Sequence, residues 1–269
     1  MIFGQDFNQM GGTTSGPQQP KAKGLSRLWE IFLDNLGRFA VSNLLCVLSA
    51  LPGAFGMFIG MMEGGQPIWL LLSGILGGAL FGTCYGAMMD GILHALRDSS
   101  SGWWRQYRHA WRRDWKDNLL PGAIMGTLIA LVMHVLNQLQ AGQTLPPAML
   151  FSTIFAAVAA LALFTYLWPQ RVFLDLGIVP LFRNSLLMVL YHPIKTFLSV
   201  LVQAAYWGLL IFMIPYSTML LLVLGVWFPA LVGTMIVYRP LNQDLKIEER
   251  LGLTSEEEED EEEEEDEDE

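Results

Sequence analysis

Lysine and arginine residues alternate along this chain with long uncharged stretches. All 16 of them fall within four segments, which are 1–38, 91–118, 169–195 and 239–269. Long apolar stretches separate these segments, and the connections near 63–67, 140–147 and 213–215 carry neither lysine nor arginine. Since loops rich in lysine and arginine stay in the cytosol, the pattern predicts a membrane protein with both termini cytosolic.

Helix geometry predicts six crossings. An α-helix rises about 1.5 Å per residue and must cross a hydrocarbon core of about 30 Å, so each crossing needs about twenty apolar residues. Stretches of this kind lie at 39–62, 68–89, 119–139, 148–168, 194–212 and 216–238. We therefore expect an all-α, polytopic membrane domain over residues 24–246. Pro52 and Gly53 lie near the middle of the first span, where the helix is expected to kink or to end.

The composition agrees with a membrane protein. Hydrophobic residues make up 52% of the chain and charged residues only 16%. The net charge is −10, but residues 256–269 are all Glu or Asp, so the remainder of the chain is mildly basic. Such an acidic run repels itself and cannot bury apolar surface. We expect residues 1–23 and 247–269 to be disordered tails.

An amphipathic helix is predicted on the cytosolic side of each odd-numbered span. The strongest pattern precedes the third span, where an aromatic stripe runs beside a basic one. The aromatic residues are Trp104, Tyr107, Trp111 and Trp115, and the basic ones are Arg105, Arg108, Arg112 and Lys116. A helix of this kind lies in the plane of the headgroup layer and binds anionic lipid headgroups. Its position before a span favours lipid over nucleic acid, which also binds basic helices.

Weaker helical patterns precede the first and fifth spans. The apolar positions before the first span are Leu25, Leu28, Phe32 and Leu36, and those before the fifth are Ile178, Phe182, Leu186 and Leu190. Their spacing of three or four residues is that of one helix face. We expect both segments to lie in the membrane plane as well.

Span two carries a glycine at every fourth position. These residues are Gly74, Gly78, Gly82 and Gly86, and they form one ridge without side chains. A ridge of this kind allows a second helix to approach closely, so we interpret it as a helix-packing surface. The alternative is the lining of a narrow pore.

Few polar residues lie within the spans. Asn43, Gln203 and His134 are the candidates for a polar path across the membrane, although such groups commonly hydrogen-bond between helices. The sequence has no phosphate-binding glycine loop, HExxH, CxxC or GxSxG motif, and its four histidines show no ligand spacing. We therefore expect no enzymatic activity, no cofactor and no metal site.

Several segments resemble the YesL-like family of bacterial membrane proteins, a family of unknown function. The resemblance covers about residues 24–240 and is carried by residues 82–119, by Asn43-Leu44-Leu45 with Leu51-Pro52, by Tyr166-Leu167-Trp168-Pro169 with Arg171, and by RNSLLMVLYHPIKTFL from Arg183. This chain has Gly82-Thr83 where the family usually has Gly-Pro, and the acidic tail is an addition.

The resemblance implies a multi-pass protein of the bacterial plasma membrane that is linked to carbohydrate uptake, and it supplies no active site. We accordingly expect an accessory or regulatory component, with a carbohydrate ABC transporter or another membrane protein as its partner. The alternative is a small-solute permease or channel, which the glycine ridge and the three polar residues would line.

Overall fold

The structure is a computed structural model that describes residues 25–62, 66–97, 102–174, 176–213 and 217–245. Every regular element within these ranges is an α-helix, which confirms the predicted class for this part of the chain. The helices are α1 (Leu25–Met62), α2 (Pro67–Leu96), α3 (Trp103–Gln140), α4 (Pro147–Phe173), α5 (Ile178–Tyr191), α6 (Pro193–Phe212), α7 (Ser217–Val223) and α8 (Trp227–Leu245). The two predicted tails lie outside the described residues.

The first four helices are each long and apolar enough to cross a membrane. A fifth crossing is obtained within the described residues if α5 and α6 are joined as one bent span. The chain is therefore compatible with a multi-pass membrane protein, whereas six crossings are not confirmed. α1 continues through Pro52, so the helix does not end in the middle of the first predicted span.

The predicted sixth span, 216–238, is wrong as a single helix. α7 ends at Val223 and α8 begins at Trp227, and between them Gly225 has a φ of 24°. Residues with a β-carbon rarely adopt a positive φ, so a glycine is the residue that permits this break. The sequence pattern missed it because the segment is apolar on both sides of the glycine.

Only one of the three predicted amphipathic segments forms a separate helix. α5 meets α6 at an angle of 101°, with the bend at His192 and Pro193. The residue before a proline is disfavoured in helical conformation, which explains where the bend falls. Before the first and third spans the prediction of a separate helix is wrong, since α1 and α3 run without interruption into the apolar stretch.

The beginning of α3 nevertheless lies across α2. Asn118 packs against Gly86, and Gln106 donates a hydrogen bond to Asp90 at 3.0 Å. If α2 and α3 were a straight antiparallel pair, the twelve residues between Asn118 and Gln106 would advance about 18 Å along α2. Their partners on α2, Gly86 and Asp90, are only about 6 Å apart along that helix. Proline is a common cause of helix bends, and Pro121 lies three residues after Asn118. Residues 103–118 therefore cross α2 instead of running beside it.

Buried aromatic rings join the two halves of the chain. Trp227, at the start of α8, lies 5.4 Å from Phe32 and 4.9 Å from Phe39 of α1, measured between ring centroids. Tyr85 of α2 and Trp168 of α4 are likewise 4.9 Å apart. Both tryptophans are almost completely buried, so these contacts form part of the main core.

The ends of α2, α4 and α8 lie on one side of the fold. Leu245 and Phe173 pack against the same buried cluster, and the guanidinium carbon of Arg97 is 4.9 Å from the centre of the Phe173 ring. Arg171, in the last turn of α4, forms an ion pair of 2.7 Å with Asp117 of α3. We call this side of the fold, where α2 and α4 end, the basic end.

The break between α7 and α8 is held by side chains from two other helices. Tyr206 in α6 and Asn43 in α1 both bond to it, each at 2.8 Å.

Candidate functional site

The glycine ridge of α2 faces α3. A β-carbon added to Gly82 would lie 2.7 Å from the Cα of Gly122, and one added to Gly74 would lie 2.6 Å from the Cβ of Ala130. One added to Gly78 would lie 2.5 Å from the Cα of Gly126. Real β-carbons do not approach other atoms so closely, so α2 and α3 make direct backbone contact along this line.

The same helix makes a second close contact on another face. A β-carbon on Gly77 would lie 2.7 Å from the Cα of Gly53 in α1. Gly53 was interpreted from the sequence only as a point of flexibility beside Pro52, and Gly122 and Gly126 of α3 were not identified. The four-residue spacing of the last two is the signal that could have found them, since it matches the ridge on α2.

The fourth ridge residue, Gly86, contacts a polar side chain. Asn118 packs its carboxamide against the backbone of Gly86, and Asn118 is 1% exposed. The ridge thus packs against backbone over most of its length and against an amide at the basic end. None of the four glycines faces an open channel among the described residues.

Asn43 holds the break between α7 and α8. Its Nδ2 donates to the carbonyl oxygens of Leu221 and Leu222 at 3.0 and 2.9 Å, and its Oδ1 accepts from the amide of Val226 at 2.8 Å. A broken helix leaves backbone groups at its ends without partners, and such groups are costly in a buried setting. One fully buried side chain from α1 satisfies three of them.

Tyr206 supplies a fourth bond to the same break. Its hydroxyl donates to the carbonyl oxygen of Gly225 at 2.8 Å. We call Asn43, Tyr206 and Gly225 the break clamp. Asn43 was recognised from the sequence as a polar residue within a span, but its partners, which are about 180 residues away along the chain, were not.

Gln203 lies in a polar contact between α4, α6 and α8. Its Nε2 donates to the hydroxyl oxygens of Thr165 at 2.8 Å and Ser199 at 3.0 Å. The Ser199 hydroxyl in turn lies 3.4 Å from the carbonyl oxygen of Gly233 in α8. A β-carbon at Gly233 would lie 2.8 Å from the Gln203 amide, so the glycine makes room for this contact.

His134 lies apart from both groups. Its Nε2 is 3.1 Å from the Nε2 of Gln138, one turn further along the same helix. No hydrogen bond within the described ranges links any two of His134, Asn43 and Gln203. The structure therefore does not bring the three candidates for a polar path together.

Residues 103–116 present tryptophans and cations on their outer surface. Trp104 is 48% exposed, and Trp111 and Trp115 are each 39% exposed. Arg108 stacks over Trp104 at 5.6 Å and Lys116 over Trp115 at 5.6 Å, each measured from the charged group to the ring centroid.

Tyr107 departs from the predicted aromatic stripe. It is 6% exposed, and its hydroxyl lies 3.4 Å from the carbonyl oxygen of Cys84. The physical reason is the crossing of α3 over α2, which turns this ring toward Ala87 and Ala110 and away from lipid.

A buried carboxylate ties this segment to α2. Asp90 is 5% exposed, accepts from Gln106 at 3.0 Å, and lies 3.3 Å from the His94 ring and 3.7 Å from the Arg113 guanidinium. A carboxylate out of water needs such partners. Asp90 continues the four-residue period of the glycine ridge, but its place in a side-chain network was not predicted.

Within the part of the chain that the structure describes, no three His, Cys, Asp or Glu side chains lie close enough together to hold a metal ion. An open cleft of about 550 Å³ lies between α5 and the end of α8 and includes the ion pair between His192 and Asp244, whose atoms are 2.8 Å apart.

Comparisons with family models, curated proteins and solved structures find no match to this chain.

Proposed function

We propose that this chain is a non-enzymatic, multi-pass protein of the bacterial plasma membrane that serves as an accessory or regulatory component of carbohydrate uptake. The buried polar residues favour this function over that of a permease, because their hydrogen bonds are made within the protein. Asn43 bonds to α7 and α8, and Gln203 bonds to Thr165 and Ser199. A solute path needs polar groups that remain available to the solute.

The carbohydrate part of the proposal is supported by the resemblance to the YesL-like family. A carbohydrate ABC transporter is the partner that it implies. The headgroup layer of the bilayer is a second proposed partner, through the tryptophan side of residues 103–116, where exposed indole rings suit the interface between lipid and water.

Both termini are proposed to be cytosolic. The lysine and arginine asymmetry supports this orientation. So do the four helices α1–α4, since four crossings would return the chain to its starting side, and the packing of Leu245 and Phe173 against one buried cluster. For the second half we favour a re-entrant arrangement over the fifth and sixth predicted crossings, because α5 meets α6 at 101° and a break at Gly225 separates α7 from α8.

Labelling of single cysteines in intact cells tests this arrangement. The substitutions are Gln66→Cys, Gln143→Cys, Ser101→Cys and Met213→Cys, in a background without Cys46 and Cys84. We expect a membrane-impermeant maleimide to label the first two positions and to leave Ser101→Cys and Met213→Cys unlabelled until the cells are opened. Labelling of Met213→Cys from outside would restore the six-crossing arrangement, and labelling of Ser101→Cys would invert the orientation.

Two measurements test the function. Purification in mild detergent is expected to recover a carbohydrate transporter subunit with the tagged chain, and its absence would count against the accessory role. Liposomes that contain the purified chain are expected to pass no sugar, osmolyte or ion. Flux that is lost in Gln203→Leu but kept in the matched exposed variant Gln143→Leu would instead establish the permease.

A further inference from the structure

Four cations of residues 105–116 form an exposed stripe along one side of α3. Arg105, Arg108, Arg112 and Lys116 are all exposed. Among the described residues, no Asp or Glu side chain forms an ion pair with any of these four. Their neighbour Arg113 differs, since it pairs with Asp114 at 2.6 Å.

The stripe points away from the protein. Tyr107 and Ala110, which lie on the opposite side of the same helix, are buried against α2. Arg105 and Lys116 are eleven residues apart, so the stripe is about 16 Å long. Four positive charges without counter-charges over this length form a strong docking surface for a polyanion.

The chain carries a polyanion of matching size. Residues 256–269 are fourteen consecutive Glu and Asp residues. They exceed the stripe in both charge and contour length, so they are able to contact all four of its cations at once.

Contacts at the basic end link the stripe to the end of α8, from which the chain continues to the acidic residues. Lys116 is followed by Asp117, which pairs with Arg171 at 2.7 Å, and Phe173 packs against the same cluster as Leu245. From Leu245 to the first acidic residue, Glu256, the chain has eleven residues and can span up to about 36 Å. The acidic segment therefore starts within reach of the stripe, whatever the orientation of the protein in a membrane.

We propose that residues 256–269 dock on the stripe formed by Arg105, Arg108, Arg112 and Lys116. The contact is intramolecular, so a tether of this length holds the acidic segment at an effective concentration in the millimolar range. Anionic headgroups must compete with it, and the tail thereby covers the cations until another polyanion displaces it. This contact is independent of the proposed role in carbohydrate uptake.

The experiment uses the full chain in nanodiscs of zwitterionic lipid. The photo-crosslinking residue p-benzoylphenylalanine replaces His109, which is exposed and lies beside the stripe. A protease site is placed within residues 251–255. After irradiation and cleavage, a tail that has crosslinked to the helix stays attached, so the protein keeps its full mass on a gel. A tail that has not crosslinked is released, and the protein band shifts to lower mass. We expect most of the irradiated chain to keep its tail, and mass spectrometry to locate the crosslink within residues 256–269.

Two variants test the charges. Neutralisation of the stripe by Arg105→Gln, Arg108→Gln, Arg112→Gln and Lys116→Gln is expected to lower the crosslinked fraction about fivefold or more. Replacement of the fourteen carboxylates by Gln and Asn is expected to do the same. The matched control is Arg183→Gln with Lys195→Gln, which removes exposed cations of α5 and α6 and should leave the fraction unchanged. A monodisperse size-exclusion peak verifies folding of each variant.

Changes in salt concentration and in lipid composition show whether the acidic segment or anionic lipid headgroups occupy the stripe. At 1 M salt, where the Debye length is about 3 Å, the crosslink is expected to disappear. In nanodiscs with a quarter of anionic lipid it is expected to persist. Loss of the crosslink in anionic nanodiscs would assign the stripe to lipid headgroups. An unchanged crosslinked fraction in the stripe variant would show that the tail contacts the helix without using these cations. Either result overturns the proposal.

Discussion

The first four helices and the last four are held together by different kinds of contact. Among the first four helices, α1, α2 and α3 meet through glycines, and backbone touches backbone at Gly78 and Gly126. In α5–α8, short helices are separated by bends and breaks, and polar side chains such as Asn43 satisfy the backbone groups that these expose. The first kind of contact depends on the absence of side chains, and the second depends on particular ones.

This difference determines which substitutions each half tolerates. A glycine contact is damaged by any added atom, whereas a polar contact is damaged when an atom is removed and its partner is left buried without a bond. The following predictions test the contrast, beginning with the largest expected effect.

Replacement of Asn43 by leucine should be the most damaging. The substitution leaves the carbonyl oxygens of Leu221 and Leu222 and the amide of Val226 without the bonds they now make, at about 1–3 kcal/mol for each buried group. Thermal unfolding in mild detergent, followed by size-exclusion chromatography, measures the loss.

Asn35→Leu is the matched control for this substitution. Asn35 is on the same helix, but its bonds stay within that helix: its Nδ2 donates to the carbonyl oxygen of Ile31 at 3.2 Å and its Oδ1 accepts from the exposed Arg38 at 3.2 Å. We expect it to cost less than about 1 kcal/mol. Equal losses for the two variants would mean that Asn43 has no special role in holding the break.

Replacement of Gly78 by alanine tests the other kind of contact. The added methyl group would meet the Cα of Gly126 at 2.5 Å, and overpacking of this kind costs about 1–3 kcal/mol. Gly91 lies on the same helix with no atom within 4 Å of an added β-carbon. Because alanine is the better helix former, Gly91→Ala should stabilise the protein by up to about 1 kcal/mol. The contrast between the halves fails if both alanine variants change stability in the same direction.

The apolar parts of α1–α4 were predictable from the sequence because their signals are local, although the continuity of α1 and α3 with the segments before them was missed. Apolar length located these parts, and the four-residue glycine spacing located the surface that faces α3. The basic and aromatic positions of residues 103–116 were also evident, apart from Tyr107, whose burial depends on how α3 crosses α2.

The break between α7 and α8 could not be predicted in this way. Its local sequence is apolar, and Gly225 and Pro229 are residue types that uninterrupted membrane helices also contain. What stabilises the break is Asn43, at a separation of 178 residues from Leu221. The residue pattern near the break does not identify so distant a partner. The same holds for Gln203, which was recognised as polar, whereas Thr165 was not identified as its partner.

Removal of the Tyr206 hydroxyl should have a smaller effect than loss of Asn43. Tyr206→Phe deletes one hydrogen bond, to the carbonyl oxygen of Gly225, and should cost about 0.5–1.5 kcal/mol. Tyr191→Phe is the control, since Tyr191 is 71% exposed. The same thermal assay applies, and a loss as large as that of Asn43→Leu would place the main support of the break on α6 instead of α1.

The smallest effect is expected for the bond between Gln203 and Thr165. A double-mutant cycle with Gln203→Leu and Thr165→Val isolates the coupling between the two side chains, whose atoms are 2.8 Å apart. Hydrogen bonds between membrane helices average about 0.6 kcal/mol, because the separated helices find other partners in the bilayer. We expect a coupling of this size.

A second cycle, with Gln203→Leu and Thr127→Val, provides the reference. Thr127 donates only to Ala123 of its own helix, at 2.8 Å, so this pair should be additive. If the coupling between Gln203 and Thr165 also vanished, the polar contact among α4, α6 and α8 would contribute nothing to packing. Gln203 would then be free to bind a solute, and the permease would become the better explanation of a polar side chain at this position.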